Sequence, residues 1–136
     1  MLDEDQPFHG KCILIIDDNL VLLKSLAEKF AMAGATVMVA AEGASGMRCF
    51  QRQRPDLVIT DIIMPDKEGI ETISEIRALA PNLPVLAISG GGRVQASAFL
   101  DLAMLLGASD VMTKPFRSQE ILDRAARLLA SGMHES

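Results

Sequence analysis

The chain has 136 residues, 49% of them hydrophobic, and this length and composition predict one globular domain with a substantial core. Its formal net charge is −5 and it contains no basic run, which argues against nucleic acid as a partner. No apolar stretch reaches the roughly 18 residues of a membrane span, and the first residues lack the apolar core of a signal peptide. We therefore expect a cytoplasmic protein without membrane contact, in which Cys12 and Cys49 stay reduced.

Short apolar runs alternate along the chain with longer segments of helical periodicity. The predicted strands cover residues 13–16, 36–40, 57–60, 85–88 and 111–113. The predicted helices follow them in turn, the first ending at Gly34, the second before Pro55, the third at Pro81, the fourth running from Gln95 to Leu106 and the fifth capped by Ser118. This alternation predicts an α/β fold, a doubly wound five-stranded parallel sheet in the order 2-1-3-4-5, flavodoxin-like (βα)5. We expect a domain over residues 11–131 between flexible tails, 1–10 and 132–136.

Polar side chains stand where the predicted strands end. Asp17 and Asp18 follow the first strand, Asp61 the third, Ser89 the fourth and Lys114 the fifth. In such a sheet the carboxyl ends of the strands meet at one edge, where ligands bind. Clustered carboxylates suit a hard divalent cation, Mg²⁺ or Mn²⁺, and a metal with a lysine suits a phosphoryl group. The chemistry that the pattern favours is transfer of a phosphoryl group onto a carboxylate.

Four stretches, "LIIDDN", "DLVITDIIMPDKEG", "LAISGG" and "GASDVMTKPF", occur in this order. Together they resemble the receiver domain of two-component response regulators, and the resemblance covers residues 11 to 131. It implies that Asp61 is the phosphoacceptor, that Asp18 is a direct Mg²⁺ ligand and that Asp17 acts on the metal largely through water. The backbone carbonyl of Ile63 would be a further ligand.

The same resemblance implies roles at the fourth and fifth strands. Ser89 would hydrogen-bond the phosphoryl group, Lys114 would form an ion pair with it, and the bond before Pro115 would be cis. One position departs from the family, because Val111 stands where a Tyr or Phe usually takes part in the switch. Valine has no ring to swing, so transmission to the output surface needs another device.

The resemblance also implies partners. A histidine kinase or a histidine phosphotransfer protein of a phosphorelay would donate the phosphoryl group, and a conformational change would expose an output surface. On a helical wheel Leu105 joins the sheet-facing side of the fourth helix, whereas Leu100 and Met104 lie on the far side with Ala103 beside them. We therefore expect Leu100 and Met104 to mark an output face for a partner or for self-association.

Several alternatives remain open. The chain resembles a stand-alone response regulator, but a receiver domain from a hybrid histidine kinase or a longer regulator would read the same. A haloacid-type Mg²⁺-dependent phosphohydrolase shares the residue types, yet needs a second acid two residues after the nucleophile, where this chain has Ile63. A flavin-binding module would need a phosphate cradle in place of "DDNL". We expect a signalling protein that catalyses only its own phosphorylation and slow dephosphorylation.

Overall fold

The structure is a computed structural model that describes residues 6–62, 69–90, 101 and 103–133. Its strands are β1 (Cys12–Ile16), β2 (Thr36–Ala40), β3 (Leu57–Asp61), β4 (Val85–Ser89) and β5 (Asp110–Thr113). All neighbouring pairs are parallel, and the strands are ordered β2-β1-β3-β4-β5. The predicted fold class and strand order are thus confirmed.

Helices connect the strands and cover both faces of the sheet. They are α1 (Leu20–Met32), α2 (Gly43–Arg52), α3 (Gly69–Leu79), α4, of which residues 101 and 103–106 are described, and α5 (Ser118–Met133). Glycines with positive φ stop two of them, since Gly34 follows α1 at φ 108° and Gly107 follows α4 at φ 118°. None of the helices in the described part of the chain is both long and apolar enough to span a bilayer.

The sheet separates two apolar cores. Successive residues of β1 point to opposite faces, so Leu14 and Ile16 join one core while Ile13 and Ile15 join the other, and all four are fully buried. The first core is completed by α2, α3 and α4, and the second by α1 and α5. With both faces covered, only the ends of the strands are left for a site.

The packed structure begins before residue 11, although a flexible tail over residues 1–10 was expected. Phe8 is buried and meets Phe30 of α1 edge-on, with ring centroids 5.3 Å apart. Packing this apolar ring against the buried residues of α1 is more favourable than exposing it to water. At the other end, α5 continues to Met133, two residues beyond the expected domain boundary.

Two helix details also differ from expectation. In α4, Leu105 was expected to face the sheet but is 83% exposed, whereas Ala103, expected beside the exposed strip, is fully buried. Ala103 belongs to the same core as Ala87 of β4, so the small side chain at position 103 and not the larger Leu105 faces the interior. In α5, Ser118 is the first helical residue rather than the cap, and the Glu120 carboxylate accepts a hydrogen bond of 2.9 Å from the Arg117 N–H.

Candidate functional site

The chain leaves β1 through a short turn that carries two acids. The Asp17 N–H donates to the Ala40 carbonyl at 3.1 Å, and one Asp17 carboxylate oxygen accepts from the Asn19 N–H at 2.8 Å. The Asn19 side chain in turn caps α1 by accepting from the Leu22 N–H at 3.1 Å. These bonds bury the Asp17 side chain at the edge of the sheet and leave Asp18 exposed beside it.

Asp61 is the last residue of β3, in register with Ile88 of β4. Its carboxylate is nearly buried, and its backbone carbonyl accepts a 3.0 Å hydrogen bond from the Thr60 hydroxyl. The next N–H, that of Ile62, continues the sheet by donating to the Ile88 carbonyl at 2.9 Å. The phosphoacceptor candidate is therefore held by a regular strand up to its own peptide bond.

The ends of β4 and β5 carry the other two predicted side chains. Ser89 lies opposite Thr113 in the sheet, and its carbonyl accepts from the Lys114 N–H at 2.8 Å. The Ser89 hydroxyl is fully buried and has no hydrogen-bond partner among the described residues. The Lys114–Pro115 peptide bond is cis.

Lys114 joins the acids. Its Nζ atom is 2.9 Å from the Asp17 carboxylate and 3.2 Å from the Asp61 carboxylate. Burial alone would lower the pKa of Lys114, but the hydrogen bond that its ammonium donates to Asp17 and the charge of Asp61 outweigh it and hold the pKa above its ordinary value. The amine is therefore an ammonium at neutral pH, and it partly neutralises the edge.

The acids also form the one group of possible metal ligands found among the described residues. A carboxylate oxygen from each of Asp17, Asp18 and Asp61 lies within 4.8 Å of the other two. Oxygen donors at this spacing, with one acid open to water, fit a small hard cation that keeps several of its waters. The donor set thus suits Mg²⁺ or Mn²⁺, and it would leave room for phosphoryl oxygens on the solvent side.

Other predicted residues lie elsewhere. Ile63 and Leu100 are outside the described residues, so their predicted roles stay predictions. Val111 is partly buried against the core, and its carbonyl accepts from Arg124 of α5 at 3.0 Å. Met104 is 48% exposed, and its role in an output face stays a prediction.

Two residues that sequence reasoning missed lie directly behind Asp61. Thr60 is fully buried in an otherwise apolar strand interior. Gly69 begins α3 so close to Asp61 that an added Cβ would lie 1.9 Å from the Asp61 carbonyl oxygen. A hydroxyl in a buried apolar run was the available signal for Thr60, whereas the approach of Gly69 depends on a contact between elements that the sequence does not display.

The described residues also line a cavity away from the acids. A cavity of about 480 Å³ lies at the opposite edge, lined by residues that precede strands, among them Lys11, Asp56 and Pro84. The acidic edge instead presents Asp18 and the first turn of α1 to solvent, where Leu20 and Val21 are 65% and 82% exposed. These exposed apolar side chains suit contact with another macromolecule that carries the reactive group.

Comparisons with known proteins give one consistent result. The chain matches the family described as "Response regulator receiver domain" over residues 13–126. It is 31% identical over 117 residues to the probable transcriptional regulatory protein TcrX of Mycobacterium tuberculosis, covering 86% of this chain and 49% of that protein. It is 37% identical over 112 residues to the Regulator of RpoS of Escherichia coli, covering 82% of this chain and 32% of that protein.

A solved structure agrees with the fold. The CheY-like response regulator receiver domain protein from Methanospirillum hungatei superposes with a TM-score of 0.84 at 26% identity, covering 93% of this chain and 98% of that one. The chain thus spans about half or a third of the length of the two curated relatives, but nearly all of this structural neighbour.

Proposed function

Since the chain belongs to the response regulator receiver domain family, we propose that Asp61 accepts a phosphoryl group and thereby switches a protein-interaction surface. The observation that carries this proposal is the position of the Lys114 ammonium, 2.9 Å from Asp17 and 3.2 Å from Asp61, at the end of the strand next to the one that ends in Ser89, whose hydroxyl has no partner among the described residues. A nucleophile, a cation and a hydrogen-bond donor therefore stand together at one sheet edge.

The proposed reaction is an attack by an Asp61 carboxylate oxygen on the phosphorus of a phosphohistidine. The new O–P bond forms as the P–N bond to the donor histidine breaks, and the electron pair of that bond stays on the histidine nitrogen. The product is an acyl phosphate on Asp61 and an unphosphorylated donor. Asp61 is buried at a strand end, so its carboxylate is presented in a narrow range of orientations, which favours an in-line attack.

Lys114 and Ser89 would stabilise the transferred group. The ammonium sits between two carboxylates, so a small rotation would bring it to a phosphoryl oxygen while it keeps its charge. The Ser89 hydroxyl would donate to another phosphoryl oxygen, which would satisfy a buried polar group. A Mg²⁺ or Mn²⁺ ion held by Asp17, Asp18 and Asp61, with the Ile63 carbonyl as a further ligand, would neutralise charge on the phosphoryl oxygens.

The donor and the cellular context follow from the family. Receiver domains act with histidine kinases and output partners, and we propose a cytoplasmic histidine kinase or histidine phosphotransfer protein as donor. We place the output surface on α4, where Met104 and the 83% exposed Leu105 form an apolar pair, with Leu100 as a candidate outside the described residues.

Two further proposals concern the protein that contains this domain and the extent of its catalysis. A stand-alone regulator and a receiver domain within a hybrid kinase or longer regulator are both compatible with the relatives, whose length the chain covers only in part. A phosphohydrolase is disfavoured because residue 63 is an isoleucine and offers no acid to activate water. We therefore propose that catalysis is limited to the chain's own phosphorylation and slow dephosphorylation.

The test is incubation with acetyl phosphate and Mg²⁺ followed by intact-mass measurement. The native chain should gain one phosphoryl mass, Asp61→Asn should gain none, and Asp123→Asn, an exposed acid on α5, should behave like the native chain. A chelator should prevent labelling, and Asp18→Asn should raise the Mg²⁺ concentration needed for half-maximal labelling by about tenfold. Equal labelling of Asp61→Asn and the native chain would reject the assignment.

A further inference from the structure

Thr60 is the single polar residue of β3 before Asp61, and it faces away from the acidic edge. The strand reads Leu57-Val58-Ile59-Thr60-Asp61, and Thr60 is fully buried. Its side chain lies on the same sheet face as Val58, towards the core that α2, α3 and α4 cover. A buried hydroxyl needs a partner, and the Thr60 Oγ1 finds it in the Asp61 carbonyl at 3.0 Å.

This bond completes a clamp around one peptide group. The peptide between Asp61 and Ile62 donates its N–H to the Ile88 carbonyl at 2.9 Å and receives the Thr60 hydroxyl at its carbonyl. Gly69 packs against the same carbonyl oxygen, so closely that a Cβ there would lie 1.9 Å away. The next carbonyl, of Ile62, accepts from the Gly69 N–H at 3.2 Å. The N–H and the carbonyl of this peptide are thus both hydrogen-bonded, and the first residue of α3 packs against it from one side.

We propose that Thr60 is a positioning residue for phosphoryl acceptance, acting through the backbone of Asp61. This inference rests on the proposed role of Asp61 as phosphoacceptor. The Asp61 carboxylate branches from the Cα that borders the clamped peptide, so a fixed peptide plane narrows the directions in which the carboxylate points. Attack on phosphorus requires atoms about 3–3.5 Å apart and aligned, and small misplacements lower the rate strongly.

The competing explanation is that Thr60 only contributes to the stability of the core, and two substitutions separate the explanations. Thr60→Val keeps the branched shape of the side chain but removes the hydroxyl. Thr60→Ser keeps the hydroxyl but removes a buried methyl group, which leaves a small cavity. A purely structural role makes the phosphorylation rate follow stability, whereas a positioning role makes it follow the hydroxyl.

The experiment measures the phosphorylation rate with saturating acetyl phosphate and Mg²⁺, together with the urea midpoint of unfolding. We expect both variants to unfold at a lower urea midpoint, Thr60→Val because the Asp61 carbonyl loses a buried donor and Thr60→Ser because of the cavity. Thr60→Val should nevertheless lose about fivefold in maximal rate, whereas Thr60→Ser should stay within about twofold of native. Thr36→Val, at an exposed strand position of β2, is the matched control and should change neither quantity.

Two results would overturn the inference. One is a native rate for Thr60→Val; the other is a fall in rate for both variants in proportion to their loss of stability. Failure of the proposed function itself looks different, because the native chain would then take up no phosphoryl group or Asp61→Asn would still be labelled. The Thr60 comparison is therefore made after labelling at Asp61 has been established.

Discussion

The guanidinium of Arg77 is bonded twice to the carbonyl oxygen of Gly107, from Nε at 3.0 Å and from Nη2 at 2.6 Å. Its third nitrogen, Nη1, donates to the carbonyls of Ala80, Pro81 and Leu83 at 3.0, 2.8 and 2.7 Å. One side chain near the end of α3 thus satisfies carbonyls at the ends of two helices and of the turn into β4. Burial lowers the pKa of Arg77, yet the group stays charged at neutral pH, which suits the negative ends of the helices.

We expect Arg77→Met to lower the free energy of unfolding by about 2–4 kcal/mol, because several carbonyls lose a charged donor. Arg77→Lys should recover less than half of this loss, since an ammonium cannot reproduce the planar fork that spans both helix ends. Urea unfolding at neutral pH measures both values. Arg127→Met, an exposed arginine on α5, is the control and should change stability by less than about 0.5 kcal/mol.

The Lys114 bridge predicts a pH dependence in the alkaline range. The pKa of Lys114 is raised in the folded chain above its ordinary value of 10.5, so its stabilisation is fully present below that value. It is lost as the pH rises through the folded pKa. The difference in unfolding free energy between the native chain and Lys114→Met, measured without divalent ions, should be constant from pH 7 to about 10 and shrink above. A difference that stays constant to pH 11.5 would contradict the prediction.

The first turn of α1 should be a contact for the phosphoryl donor. Leu20 and Val21 are exposed aliphatic residues directly after the acids, and a donor protein that reaches Asp61 would cover them. Leu20→Ala with Val21→Ala should reduce the efficiency of transfer from a phosphorylated histidine phosphotransfer domain by about tenfold. Transfer from acetyl phosphate should be unchanged, because this small donor does not touch the helix.

The control for this prediction is Met32→Ala, which removes an 87% exposed side chain at the far end of the same helix. It should leave both reactions at native rates. Equal slowing with the protein donor and with acetyl phosphate would instead mean that the α1 substitutions disturb the acids themselves.

The exposed pair on α4 should carry self-association. Met104→Lys with Leu105→Glu places charges on the proposed output face while leaving the buried Ala103 in place. We expect light scattering in the presence of beryllofluoride and Mg²⁺ to show association of the native chain and none of the double variant, with labelling at Asp61 unchanged. The control Met32→Glu, at an 87% exposed apolar position on α1, should associate normally. If the double variant associates like the native chain, α4 does not mediate this contact.

The site at the strand ends could be predicted from the sequence because two patterns agree. These are the alternation of strands with helices and the polar residues that follow the strands. Alternating apolar runs and helical segments indicate a doubly wound parallel sheet, and the order β2-β1-β3-β4-β5 brings Asp17, Asp61, Ser89 and Lys114 to one edge. The face of α4 that is turned towards the core could not be predicted from the sequence. Larger aliphatic residues were expected to face the sheet, but Ala103 is buried in the core and Leu105 is exposed.

The contacts of Thr60, Gly69 and Arg77 were also beyond reach of the sequence. Each is made to backbone atoms, which every residue possesses and which therefore leave no mark in the sequence. Phe8 was missed for a related reason, since its partner Phe30 is distant in the chain and the residues between give no hint of the pairing.

The contacts at both ends of α3 have a mechanical consequence. Gly69 seats the first turn against the backbone of Asp61, and Arg77 ties the last turn to Gly107. A helix held at both ends in this way would transmit a displacement of one end to the other. A displacement of the peptide after Asp61 would then move α3, and through Arg77 it would reach Gly107 at the end of α4. This route needs no aromatic ring at position 111.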